Sequence, residues 1–123
     1  MKTAIILFAH GSSVESANEA VRHVTAEVGR AGGFPWMDTA FLEAAHPTLA
    51  ESIARMAGQG AERVIVVPYF LTLGIHLQRD LPRIVGELSE RHKGLSIEVA
   101  PPLDGHPALQ QIVLERAQKA LEC

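Results

Sequence analysis

Two short, almost unbroken apolar runs, Thr3–Ala9 (TAIILFA) and Arg63–Val67 (RVIVV, closed by Pro68), set the tightest limit on how this chain folds. Each is too short for a core helix and neither alternates in polarity. Both therefore predict strands covered on two faces, the central strands of a parallel sheet. Met37–Glu43 (MDTAFLE) is mixed and Leu95–Ala100 (LSIEVA) alternates, so these two segments predict half-exposed edge strands.

Helical periodicity fills the intervals. Val14, Ala17, Val21, Val24, Val28 and Ala31 fall at threes and fours before Gly32-Gly33. Leu49, Ile53 and Met56 repeat the pattern before Gly58, and Leu81, Ile84, Val85 and Leu88 before Gly94. Leu109, Ile112, Val113, Ala117, Ala120 and Leu121 close the chain the same way. Strand and helix thus alternate four times, the pattern of an α/β fold with a parallel sheet and helices on both faces. Right-handed crossovers with the two apolar strands in the middle favour the order 2-1-3-4, a flavodoxin-like half-sheet in one domain spanning residues 1–123.

In such sheets ligands bind beyond the carboxyl ends of the strands, where the strand order reverses, here between strands 1 and 3. Strand 1 runs out at His10, strand 2 at Glu43, and strand 3 through Tyr69 and Phe70 into a loop carrying His76. The three are each 33 residues apart, one βα unit, and the order 2-1-3 delivers them to one rim. Two imidazoles and a carboxylate suit a borderline divalent cation such as cobalt, iron, nickel or zinc. Three protein ligands also leave coordination positions open.

Other features have plainer readings. Ser12 with Glu15 reads as a capping box for the first helix, although the exposed amides of Gly11, Ser12 and Ser13 could also hold a carboxylate or phosphate. His46-Pro47 and His106-Pro107 read as helix starts with proline at the first position. His23 lies off the apolar stripe and His92 at a charged helix end, so both read as structural. Around His76, Phe70, Leu71, Leu73, Ile75 and Leu77 crowd apolar side chains onto a loop, as a flat apolar ligand over a metal would require. Asp80 reads as the cap of the next helix, with Pro82 in its first turn.

Composition removes several classes of function. The formal charge is −3 with no basic tract, which argues against nucleic acid as a partner. No segment reaches the roughly 18 apolar residues of a membrane span, and the short run after Lys2 reads as a strand and not a signal peptide. The single cysteine, Cys123, cannot pair within the chain, which fits a reducing, cytoplasmic setting and excludes a thiolate-rich zinc site.

Taken together, FAHGSS, AFLEAAHPTL, VIVVPYFLTLGIHLQRDLP and VAPPLDGHP resemble the short-form sirohydrochlorin chelatases of the CbiX/SirB type, class II chelatases. The resemblance implies insertion of cobalt, iron or nickel into sirohydrochlorin or a related tetrapyrrole, on the way to cobalamin or siroheme. It implies His10 and His76 as metal ligands and active-site bases, and Glu43 as their acidic partner. No permanently bound cofactor is expected, because the metal is substrate. The length corresponds to one half of the long chelatases, which implies a homodimer with the macrocycle between two lobes. Phe70 and Leu73 are then candidates to press on the ring, and Arg79 with Gly11-Ser12-Ser13 to meet its carboxylates.

The chemistry agrees with these side chains. Insertion removes two pyrrole protons and exchanges metal ligands stepwise, and an imidazole of reference pKa ~6.5 can hold either a metal or a proton. A phosphohistidine phosphatase also carries HG after its first strand, but Ala9 stands where its phosphate-clamping arginine belongs. A metal- or tetrapyrrole-binding protein without turnover remains the alternative, and a metal-dependent hydrolase lacks a distinct second carboxylate to act as its base.

Overall fold

In the computed structural model, which describes residues 2–122, four strands and four helices alternate. They are β1 (Thr3–Ala9), α1 (Glu15–Gly32), β2 (Met37–Phe41), α2 (Leu49–Gly58), β3 (Arg63–Tyr69), α3 (Ile75–Arg91), β4 (Ser96–Val99) and α4 (Pro107–Leu121). Cys123 lies outside the described residues. The sheet is wholly parallel in the order β2-β1-β3-β4, as the apolar runs require. Among the described residues no helix is long and apolar enough to cross a membrane.

The core lies on one face of the sheet. Ala4, Ile6 and Phe8 of β1, Ala40 of β2, and Val64 and Val66 of β3 meet Leu49, Ile53 and Met56 of α2 and Leu81 and Leu88 of α3. Phe8 also meets Phe70 edge-on, with ring centroids 5.8 Å apart.

Strand β3 does not stop before Pro68, as its sequence predicts, but runs on through Tyr69 with Pro68 fully buried opposite Phe8. The Val66 carbonyl accepts from Ala100 N–H, so alternate backbone groups of β3, at Val64, Val66 and Pro68, face β4. Proline has no N–H to give at the next rung. The missing donor therefore falls where β4 has already ended, at Val99, and costs no ladder bond.

The opposite face is seated differently from the expected pattern. The apolar stripe of α1 faces the sheet only in part: Val21 and Val24 are half-buried and Val14 is 59% and Val28 41% exposed, while Asn18 and Thr25 are buried. Asn18 is drawn inward by two bonds to Ser12, accepting from its N–H (3.0 Å) and donating to its carbonyl (2.9 Å). The Thr25 hydroxyl meets that of Thr39 on β2 at 2.7 Å. A buried polar group must find a partner, and these partners fix the rotation of the helix over its hydrophobic preference.

The helix starts also differ. Val14, not Ser12, is the N-cap of α1, and no Ser12–Glu15 capping box forms. The box belongs instead to Thr48 and Glu51 at α2, with Thr48 directly after the cis-bonded Pro47, so Pro47 precedes the cap and is not a first helical residue. Helix α3 begins at Ile75 behind Gly74, which places His76 in its first turn and Pro82 in its interior, with Asp80 no longer a cap. His106 does cap α4, accepting from Ala108 N–H, with Pro107 at the first position.

Replacing Asn18 with Ala removes both bonds that seat α1 and leaves Ser12 groups unpaired, at a cost of about 1–3 kcal/mol. Urea unfolding should show this as a lower midpoint with unchanged slope. An unaltered midpoint would mean that α1 is held by its valine stripe instead.

Candidate metal centre

The pairing of β1 with β2 continues past the last strand residues. Leu42 N–H donates to the Ala9 carbonyl (2.8 Å) and Glu43 N–H to the His10 carbonyl (3.0 Å). Glu43 therefore sits in the bend after β2, beyond the strand predicted to contain it and past the last paired residue, Phe41, yet tied to His10 by its own backbone bond. Two features make the approach possible. Gly11 takes φ +90°, and a Cβ there would run into the Glu43 carbonyl oxygen, so only glycine fits. Ala44 takes φ 65°, a left-handed conformation that turns the chain away directly after Glu43.

The result is a contact between His10 Nε2 and Glu43 Oε1 of 3.1 Å, with both side chains about 60% exposed (61% and 63%) at the rim. The other ring nitrogen, Nδ1, donates to the Gly11 carbonyl at 3.0 Å. A neutral imidazole that donates from Nδ1 has its lone pair on Nε2. Two electron-rich atoms then face one another, an arrangement that calls for a proton or a cation between them. A histidine anchored through Nδ1–H to a backbone carbonyl, with Nε2 free, is also the usual form of a metal ligand.

His76 lies across a hollow of about 400 Å³ lined by His10, Leu42, Phe70, Thr72, Gly74, His76, Leu77, Asp80 and Ile84. Arg79 Nη2 donates to His76 Nδ1 at 3.1 Å. An imidazole that accepts at Nδ1 carries its proton on Nε2 when neutral. His10 and His76 are thus held in opposite tautomers, one offering a lone pair at Nε2 and the other an N–H. The Arg79 bond gives no sequence signal beyond an i,i+3 spacing.

Among the described residues no three His, Cys, Asp or Glu side chains converge closely enough to enclose a metal. His10 and Glu43 are together, and His76 shares the hollow with His10. Phe70 lines that hollow, whereas Leu73 is half-buried behind it, its carbonyl accepting from Gln78. The Ser12 N–H is already bound to Asn18 and the Ser12 hydroxyl to Val14 N–H, and Ser13 is exposed. Sequence reading missed Leu42, Thr72 and Ile84 as lining residues; Leu42 and Thr72 follow strand ends, and Ile84 lies on the apolar stripe of α3.

His46, three residues beyond Glu43, turns away to Glu51, with Nδ1 and Oε1 2.7 Å apart. That bond, followed by the Thr48 N–H, holds the Glu51 carboxyl below the usual carboxylate range. A depressed carboxyl stabilises the fold above its unfolded pKa, and the gain disappears as pH falls through the folded value. Glu51→Gln should therefore flatten the acid side of the thermal stability profile below about pH 4.5. A profile identical to wild type would contradict this.

A larger hollow, of about 520 Å³, lies between α1 and β2, but its charged groups are already matched. Arg22 pairs with Glu15 and Glu19, Arg30 with Glu27, and Asp38 with Arg55 and Ser52. Of these two hollows, the rim site is the one whose histidines face open space.

Gly11→Ala should cost about 1–3 kcal/mol of stability through the enforced left-handed backbone and should separate His10 from Glu43. Thermal melting together with cobalt titration checks both effects. Unchanged values for both would mean that the close approach is not needed.

The model of the CbiX family matches residues 4–120. A sirohydrochlorin cobaltochelatase of Methanopyrus kandleri is 28% identical over 96% of each chain. The chloroplastic sirohydrochlorin ferrochelatase of Arabidopsis thaliana is 30% identical over 95% of this chain, which spans only 52% of that protein. Among solved structures, the CbiX protein of Marinobacter aquaeolei superposes with a TM-score of 0.84 at 32% identity, covering 98% of each chain. By sequence and by fold, this chain belongs to the CbiX family.

Proposed function

We propose that this protein is a sirohydrochlorin chelatase, inserting cobalt, iron or nickel into sirohydrochlorin or a closely related tetrapyrrole. The observation that carries the reading is the facing pair of His10 Nε2 and Glu43 Oε1 at 3.1 Å, an imidazole nitrogen and a carboxylate side by side at the rim, with the other ring nitrogen held by the Gly11 carbonyl. The metal is substrate, and no permanently held cofactor is involved. The protein works in the cytoplasm, in keeping with its single cysteine, Cys123.

In this reading a hydrated divalent ion exchanges water for His10 Nε2 and Glu43. Both donors are exposed at the rim, so the ion enters and leaves readily. The macrocycle lies over the hollow against Leu42, Phe70, Leu77 and Ile84, with His76 opposite His10. Apolar contact over this area supplies binding energy to tilt the pyrrole nitrogens toward the metal.

The substrate's carboxylates meet Arg79 and the first turn of α3, whose N-cap, Gly74, has no side chain to occupy the free N–H groups. A carboxylate that draws Arg79 away uncovers His76 Nδ1. His76 then accepts one pyrrole proton there as the metal enters from the His10 side. The second proton passes to water or to Glu43 once the metal has left it. Two protons leave for each divalent ion gained, so the ring's charge is unchanged. Two copies of the chain facing one another would restore the two-lobed cleft that the longer chelatases build from one chain.

Purified protein mixed with sirohydrochlorin and each metal should change the absorption spectrum faster than the spontaneous reaction. His76→Ala should lose about 10²–10⁴-fold in rate, the usual worth of a positioned proton acceptor. His10→Ala should instead weaken metal binding. Binding without turnover would leave a metal or tetrapyrrole carrier, and rates equal to the spontaneous one in wild type would end the enzyme reading. Arg79→Ala should raise KM for sirohydrochlorin more than for a tetrapyrrole lacking carboxylates; equal effects would remove Arg79 from carboxylate recognition.

A further inference from the structure

Metal insertion releases two protons, and the residues assigned above give a placed acceptor to only one of them, His76 Nδ1. His10 is committed elsewhere, with Nδ1 held by the Gly11 carbonyl and Nε2 facing Glu43 and the metal. Glu43 shares that metal, and it is not among the residues that line the hollow where the ring lies.

The hollow does contain a carboxylate. Asp80 lines it together with His10 and His76, and is the acidic side chain among the described lining residues. Helix geometry brings it there: His76, Asp80 and Ile84 are spaced four residues apart on α3, so the three share the helix face turned to the hollow. At ~1.5 Å per residue, His76 and Asp80 are roughly 6 Å apart along the helix axis, two separate basic groups beneath one macrocycle.

The Asp80 carboxylate is also uncommitted. Helix α3 starts at Ile75, so no cap is asked of Asp80. Arg79 Nε and Arg83 Nη2 approach its Oδ1 only to 4.0 and 3.9 Å, beyond hydrogen-bond distance. Arg83 is engaged more closely by Glu87, at 3.1 Å. By contrast Glu15, Asp38 and Glu51 each take part in a side-chain hydrogen bond. The Asp80 side chain is 43% exposed, so a proton received there has a way out to water.

We infer that Asp80 accepts the second pyrrole proton and is a catalytic residue beside His76 in the same hollow. The pyrrole N–H bond breaks, its electron pair stays on nitrogen and becomes the bond to the incoming metal, and the proton forms an O–H bond on Asp80. Release of that proton to water restores the carboxylate. Arg79 joins the two acceptors, with Nη2 on His76 and Nε beside Asp80. A substrate carboxylate that draws Arg79 away therefore uncovers both together. This inference rests on the chelatase reading, and gives the second proton a nearer acceptor than Glu43 or bulk water.

The test uses the full chain with sirohydrochlorin and cobalt, both saturating. Asp80→Ala should lose about 10²–10⁴-fold in kcat, the usual worth of a positioned proton acceptor, with cobalt affinity unchanged. Added formate, a carboxylate small enough for the vacated space, should restore much of that rate, whereas chloride at the same ionic strength should not. Formate should leave wild type and His76→Ala unaffected. If circular dichroism shows Asp80→Ala to be unfolded, Asp80→Asn and Asp80→Glu decide: the first should lose the rate and the second keep most of it.

An Asp80→Ala kcat equal to wild type would overturn the inference, and so would a loss that formate does not restore, or equal rates for the Asn and Glu variants. Each of these leaves the chelatase reading standing. A wild-type rate equal to the spontaneous one would overturn both.

Discussion

The hydrogen bonds that join Leu42 to Ala9 and Glu43 to His10 extend a strand pairing two residues beyond the strands themselves. Everything proposed at the rim depends on that extension. A sheet alone would deliver Ala9 and Phe41 to its edge, and the polar pair would be left to two independent loops. Because the backbone bonds persist past the last paired residues, Ala9 and Phe41, Glu43 is tied directly to His10, and the glycine at position 11 lets the two segments close to contact. The pair is thus tied to the sheet through the backbone while its side chains stay in water.

The tautomers follow from the same backbone. The Gly11 carbonyl receives the His10 Nδ1 proton, and that one bond decides which atom faces Glu43. Across the hollow the Arg79 side chain decides the opposite for His76. One histidine is set by main chain and the other by a movable cation. That division suits a reaction in which one donor must keep its orientation and the other must change partners when an anionic substrate arrives.

Much of this was legible in the sequence, for identifiable reasons. Continuous apolar runs mark strands buried on two faces, so β1 and β3 and the order 2-1-3-4 could be read directly. The rim residues could be read because a parallel sheet sends its strand ends to one side. Where the reading failed, a competing local interaction decided. Asn18 and Thr25 turned α1 away from its valine stripe, because their buried hydrogen bonds outweigh the contact of a few methyl groups. Pro68 reads as a stop, yet its missing donor points where β4 has ended. Helix α3 began earlier than its proline implied, moving His76 from a loop onto a helix and exposing it to Arg79. None of these depends on residue type alone; each needs the neighbour supplied by the fold.

The central claim is that the β1–β2 extension holds a divalent metal between His10 and Glu43. Anomalous diffraction from crystals soaked in cobalt tests it most directly. The account predicts a peak about 2.0–2.2 Å from His10 Nε2 and from a Glu43 carboxylate oxygen, absent from His10→Ala crystals. A peak at any other residues, or none at the rim at saturating cobalt, would contradict it.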